Sequence, residues 1–299
     1  MKPWARRSLI GAGAVALVLA ATVAAGAALA ERKMNRRVDL KVAAVAIPDD
    51  PGQLARGRYL FETRGCTECH GNDGAGRMFH DDGTLRLAGP QIAPGPTSAA
   101  ASYKVEDWVR AVRHGVAPSG RPLVVMPSED YNRLTDEDLG ALIAHVQRLP
   151  ATSGQPRVID MPLPMRVLYG FGAIRDAAEK IDHGLPPQQP VASGATVEYG
   201  RYVANMCIGC HGDGLSGGKV PGGPPDWPAT ANLTPGEGSV MPRYADANAF
   251  ATMLRTGKRP DGGKIAVMPF EALARLDDTE AQALYAFLKS LPPRPMGNR

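Results

Sequence analysis

The sequence predicts an all-α protein with two similar helical domains in tandem, preceded by one long apolar helix. Three observations carry this expectation. A module recurs at offsets of 142–143 residues, as Gly57-Arg58-Tyr59 and Gly200-Arg201-Tyr202, then Val124-Val125-Met126-Pro127 and Ala266-Val267-Met268-Pro269, then Leu149-Pro150 and Leu291-Pro292. Within each copy apolar residues return at helical spacing, and no alternating run is long enough to compete as a strand. Ahead of both copies, Ser8 to Ala30 carries no charge.

That run follows Lys2, Arg6 and Arg7, the layout of an export signal or a membrane anchor, and this places the remainder outside the cytoplasm. Its length matches the ~20 residues that span a bilayer rather than the ~7–15 of a signal core. Residues 1–30 are expected to be an uncleaved anchor helix, with cleavage after Ala28-Leu29-Ala30 as the alternative, and 31–47 a basic tether. The modules occupy 48–150 and 191–299. Between them, 151–190 holds six prolines and reads as a semi-extended connector. Within it Val167, Leu168, Phe171, Ile174 and Ala178 are spaced for a short amphipathic helix packed between the modules.

Trp108, Val109 and Val112 mark a helix before Gly115, matched by Phe250, Ala251 and Leu254 before Gly257. Thr135 and Asp138 look like a capping box ahead of Leu139, Leu142, Ile143, Val146 and Leu149; Asp277 and Glu280 repeat it ahead of Ala281, Leu284, Tyr285, Leu288 and Leu291. Tyr59 and Tyr202 fall on the first helix of each module, placed to pack against the C-terminal helix.

The net charge of +4 does not indicate a nucleic-acid partner. Residues 1–30 and 31–47 carry +3 each, whereas 48–150 carries −3, so the body has no basic cluster with interleaved aromatics. Trp, Tyr and Phe number only 3, 8 and 6, a thin supply for two cores, and this points to something other than side chains at their centres.

All four cysteines fall in Cys66-Thr67-Glu68-Cys69-His70 and Cys207-Ile208-Gly209-Cys210-His211. Two thiols at this spacing match the two vinyl groups of one haem, and the histidine that follows is placed to ligate the iron. A thioredoxin-like pair needs a βαβ setting, zinc would have to join motifs from separate modules, and disulfides do not require a histidine after each second cysteine. Two covalently bound haem c groups are expected, attached through Cys66 and Cys69 and through Cys207 and Cys210, with His70 and His211 as axial ligands. A haem in each module also answers the shortage of aromatics.

With these motifs the chain resembles the cytochrome c family, as two tandem class I domains covering most of the length outside the N-terminus and connector. The second half, through Ala231-Asn232-Leu233-Thr234-Pro235, Arg255-Thr256-Gly257-Lys258-Arg259-Pro260-Asp261-Gly262 and Val267-Met268-Pro269, is similar to the cytochrome subunits that serve periplasmic dehydrogenases. The first half shares Trp108-Val109-Arg110-Ala111-Val112-Arg113-His114-Gly115-Val116 and Met126-Pro127. It departs at Ala93-Pro94-Gly95-Pro96-Thr97, where the Asn-Leu-Thr-Pro pattern has only a faint counterpart. Those subunits often carry three haems, and this chain has motifs for two.

The second axial ligand separates electron transfer from catalysis, because a Met/His pair closes the iron and raises its potential. Met126 and Met268 each open a Met-Pro step in the same repeat register, and the resemblance points to the same two residues. Met78, His80 and His114 are the rivals in the first module, Met241 and Met253 in the second. Arg121 and Lys264, just before each methionine, are placed either to pair haem propionates or to stand in solvent.

Residues and resemblance together imply an electron-transfer protein with no catalytic residue, on the periplasmic side of a bacterial cytoplasmic membrane. It would take electrons from a dehydrogenase subunit or quinol-oxidising complex and pass them to a cytochrome or terminal oxidase. The alternative is a di-haem peroxidase-like enzyme, which requires one open iron and distal acid/base residues.

Overall fold

The computed structural model describes residues 2–224 and 226–298; Met1, Pro225 and Arg299, which belong to the first and last segments above, lie outside the described residues. Helix α1 spans Pro3–Met34, and its apolar stretch is long enough to cross a membrane. The first module contains α2 (Pro51–Thr63), α3 (Cys66–His70), α4 (Val105–His114) and α5 (Asp136–Gln147). The connector carries α6 (Leu163–Gly170) and α7 (Ala177–Lys180). The second module contains α8 (Val197–Ala204), α9 (Ile208–His211), α10 (Ala247–Thr256), α11 (Phe270–Leu273) and α12 (Asp278–Ser290).

Each core forms where the first helix of a module crosses its last, α2 on α5 and α8 on α12. Gly57 and Gly200 sit at these crossings, and a Cβ there would lie 2.0 Å from Ala141 O and 1.9 Å from Ala283 O. Leu60, Phe61, Leu139 and Ile143 fill the first core; Val203, Leu284, Phe287 and Leu288 fill the second. Helices α4 and α10 end at Gly115 and Gly257, both with positive φ, as the repeat predicts.

The fold is helix-rich but not all-α. Strand β1 (Arg77–Asp81) pairs antiparallel with β2 (Arg86–Gly89), and β2 pairs antiparallel with β3 (Val158–Asp160) from the connector, with Ala88 opposite Val158. The hairpin turn is built by the Asp82 carboxylate, which accepts from the backbone N–H groups of Thr84 and Leu85. Strands of three to five residues are too short to show alternation in a sequence, and the partner of β2 lies some seventy residues away.

The connector also departs from expectation. Its amphipathic segment splits into α6 and α7, and α6 packs on α1 instead of between the modules. The crossing is close, since a Cβ on Gly170 would stand 2.0 Å from Gly26 O. Arg36 grips Asp176 with two hydrogen bonds of 2.7 and 2.6 Å, Tyr169 Oη donates to the same carboxylate, and Lys33 pairs with Glu179 at 2.7 Å. Beyond α1 the chain is laid along the first module, where Val38 N donates to Gly120 O and Val45 is buried in the core.

The two modules are joined by a buried polar network in which each repeat element plays a matched part. Thr135 Oγ1 accepts from Asp138 N, and Asp277 Oδ1 accepts from Glu280 N, so both last helices are capped as expected. Asp138 and Glu280 do not complete the reciprocal half of the box. Asp138 instead binds Arg56 twice at 2.8 Å and Tyr202 Oη; Glu280 binds Arg64 twice at 2.8 Å and Tyr199 Oη at 3.0 Å. The N-cap amides go to tyrosines of the other module: Asp277 N donates to Tyr59 Oη at 3.0 Å, and Thr135 N to Tyr202 Oη at 3.4 Å. Tyr59 and Tyr202 thus reach the last helix of the opposite copy, not of their own.

Candidate haem-binding sites

Helix α3 places Cys66 and Cys69 one turn apart with His70 at its end, and Cys207, Cys210 and His211 stand in the same relation around α9. His70 Nδ1 lies 2.8 Å from Pro90 O and His211 Nδ1 lies 2.8 Å from Ala231 O. A carbonyl oxygen only accepts, so each Nδ1 carries the proton and each Nε2 is the lone-pair nitrogen, the tautomer that a metal needs. Burial lowers the pKa of His70, which favours the neutral ring.

The loops that supply these carbonyls are held from beneath by buried amides. Asn232 Nδ2 donates to Glu237 O and Arg294 O, while its Oδ1 accepts from Thr234 N and Oγ1. In the first module Gln91 takes this part: Nε2 donates to Ala93 O and Thr152 O, and Thr97 Oγ1 donates to Oε1. The counterpart of the Asn-Leu-Thr-Pro segment is therefore present, but it begins at Gln91 and uses the longer amide. Sequence inspection missed it because the residue type differs; the signal was position, one residue after the carbonyl that receives the histidine.

Met126 and Met268 are half-buried at the edges of the two cores, Met126 in a set that includes Cys66 and Ile92, Met268 in one that includes Cys207 and Leu233. The rivals are placed otherwise. Met241 and Met253 are buried among core side chains, Met78 lies on β1, His80 Nε2 faces Asp82, and His114 Nδ1 stands 3.0 Å from His183 Nδ1. Arg121 and Lys264 are both exposed, and Arg121 Nε reaches Met34 O at the end of α1.

None of the cysteines forms a disulfide. Burial pushes the Cys66 and Cys207 thiols up to about 12 and Cys69 to about 11. A redox-active pair shows the opposite shift, toward thiolate. Paired neutral thiols beside apolar side chains, a histidine with a fixed tautomer and a methionine at the same core edge fit a covalently attached haem.

The two sites also meet each other's modules. Helix α3 contacts α11, which follows Met268-Pro269, and α9 contacts the turn Ser128–Asp130, which follows Met126-Pro127. Asp130 Oδ1 accepts from Gly209 N at 2.7 Å, and a Cβ on Gly209 would come within 2.8 Å of both carboxylate oxygens. Burial raises the Asp130 pKa well above its usual range, with Glu129 adding to it. This contact explains why glycine stands in the second motif where the first has Glu68.

A helical module closed by a crossing of its first and last helices, with a Cys-x-x-Cys-His helix and a Met-Pro loop at its core edge, is a c-type cytochrome domain, and here it occurs twice. The family model described as cytochrome C oxidase, cbb3-type, subunit III matches residues 52–146 and 194–288, and the chain belongs to that family. Cytochrome c domains carry covalently bound haem c. Among relatives, the fructose dehydrogenase cytochrome subunit of Gluconobacter japonicus is 27% identical over 81% of this chain and 53% of its own length. The alcohol dehydrogenase (quinone) cytochrome c subunit of Gluconobacter oxydans is 25% identical over 85% of this chain and 58% of its own. The gluconate 2-dehydrogenase cytochrome c subunit of Pantoea cypripedii is 29% identical over 82% and 62%. The chain spans between half and two thirds of the length of these relatives. All three are named as cytochrome subunits of dehydrogenases, and none is named as a peroxidase.

Proposed function

We propose that this chain is a di-haem electron-transfer subunit that relays single electrons from a periplasmic dehydrogenase or quinol-oxidising complex toward a cytochrome or terminal oxidase. The observation that carries this reading is the matched pair of sites: His70 and His211 have the same tautomer fixed by the same bond, and Met126 and Met268 stand in the same register at the core edge. Haem supplies a one-electron couple when bound. Cys66, Cys69, Cys207 and Cys210 would attach the two groups, and His70 with Met126, and His211 with Met268, would ligate their irons. Closed coordination changes little between oxidation states, which suits transfer. The polar network between the modules joins the two halves that carry the sites.

The relatives are named as dehydrogenase cytochromes, and a dehydrogenase subunit is accordingly proposed as the donor. We place the modules on the periplasmic side of the membrane with α1 retained as an anchor. Support comes from the apolar stretch of α1, long enough to cross a membrane, and from the packing of α6 on that helix.

Optical spectra of the oxidised and reduced holoprotein, with and without carbon monoxide, test the relay. The wild type is expected to show the weak long-wavelength iron–sulfur band and no response to carbon monoxide. Met126→Ala and Met268→Ala are each expected to lose half the band and gain one carbon monoxide-binding haem. The potential of the altered site should fall by on the order of 0.1 V or more, within the ~0.8 V that axial ligation spans. A wild type with one band-lacking, carbon monoxide-reactive haem overturns the relay.

A further inference from the structure

We propose that α6 and the residue after it, Phe171, form a second membrane contact, seated in the outer lipid–water interface beside the anchor; this rests on α1 being a retained transmembrane helix. The position follows from helix geometry. Arg6 and Arg7 mark one end of the apolar stretch of α1, and the rise from Ser8 to Gly26 is about 27 Å at ~1.5 Å per residue. That is close to the ~30 Å hydrocarbon thickness of a bilayer, so Gly26 lies near the far boundary.

Gly26 is the residue on which the connector is seated. A Cβ there would meet Val167 Cγ1 and Phe171 Cε2, both at 2.8 Å. Phe171 presses one edge on α1 yet stays 52% exposed, and its neighbour Leu168 is 49% exposed. On α1 itself Val23 and Leu29, three residues either side of Gly26, are also exposed. The apolar surface of α6 is therefore continuous with that of the anchor, at the depth where acyl chains meet headgroups.

Charge supports the same occupant. Arg32 and Arg175, next in sequence to Lys33 and Asp176 of the ion pairs that join α1 to the connector, are exposed on the water side of Gly26, where anionic headgroups would lie. Lys33 and Arg36 are turned inward, to Glu179 and Asp176, and lock the connector to the helix. Arg166 pairs with Glu31 at 3.5 Å. A small apolar helix fixed beside a spanning helix by ion pairs gives the anchor a second point of contact and so sets the tilt of the first module on the membrane.

The test uses the full-length, haem-loaded chain in phosphatidylcholine–phosphatidylglycerol vesicles doped with a phospholipid that carries a diazirine near its headgroup, with adducts mapped by mass spectrometry. Leu185 and Met296, 50% and 47% exposed, are apolar controls of equal exposure away from the crossing. Adduct yield on 163–171 is expected to exceed that on Leu185 and Met296 by about tenfold or more, and to approach that on Val23 and Leu29. Serine at both Leu168 and Phe171 should lower that yield without altering labelling of α1. Adducts on α1 with 163–171 at the level of the controls overturn the proposal and leave the anchor standing. No adducts on α1 overturn both.

Discussion

Replacing Glu280 with alanine is expected to cost ~3–5 kcal/mol, read as a drop in the denaturant midpoint at pH 7, because it strands a buried guanidinium. The Glu280 side chain is fully buried and the Arg64 side chain only 4% exposed, and the two share two hydrogen bonds of 2.8 Å. Arg56 and Tyr199 Oη lose a partner as well. Arg64 with Met and Glu280 with Leu together should recover most of the loss, since replacing both charges leaves no uncompensated ion.

The same pair sets an acid limb. Burial by itself would raise the Glu280 carboxyl, but Arg64, then Arg56, outweigh it and hold the group at about 2, against 4.5 when unperturbed. A depressed carboxyl stabilises the fold fully above its unfolded value and loses that contribution as pH falls through the folded one. The wild type should therefore lose roughly 3 kcal/mol between about pH 4.5 and pH 2, and Glu280→Gln should flatten that limb. A Glu280→Ala variant within 1 kcal/mol of wild type at pH 7, with an unchanged acid limb, would remove the pair from the account of how the modules hold together.

Gly57→Ala and Gly200→Ala are each expected to destabilise by about 3 kcal/mol, at the upper end of overpacking costs. The added methyl meets backbone, Ala141 O at 2.0 Å or Ala283 O at 1.9 Å, which no rotamer change relieves. The helices must separate, and each crossing is the centre of its core. Gly52→Ala on the same first helix, where only Asp50 Oδ1 at 3.3 Å is near, should be neutral or gain up to ~1 kcal/mol in the same unfolding experiment. Equal midpoints for Gly52→Ala and Gly57→Ala would show that the crossing is not tightly packed.

The Gly-Arg-Tyr repeat was visible as a repeat, but its physical content was divided in a way no local pattern displays: glycine serves the crossing within a module, and tyrosine serves the other module. The capping boxes were legible in their first half, since an N-cap bond closes within four residues. Their second half was not, because Asp138 and Glu280 found guanidinium groups more than eighty residues away that bind a carboxylate more strongly than a backbone amide does.

By itself the sequence determined the tandem helical modules, the Cys-x-x-Cys-His helices, the Met-Pro register and the long apolar N-terminal helix, because each depends on spacing along a few turns of chain. The tertiary structure alone decided the small sheet, the part of Gln91 as counterpart to Asn232, the charged lock between modules and the seat of α6 on α1. All four join residues from distant segments, and burial selects such partners by shape and charge after the local elements have formed.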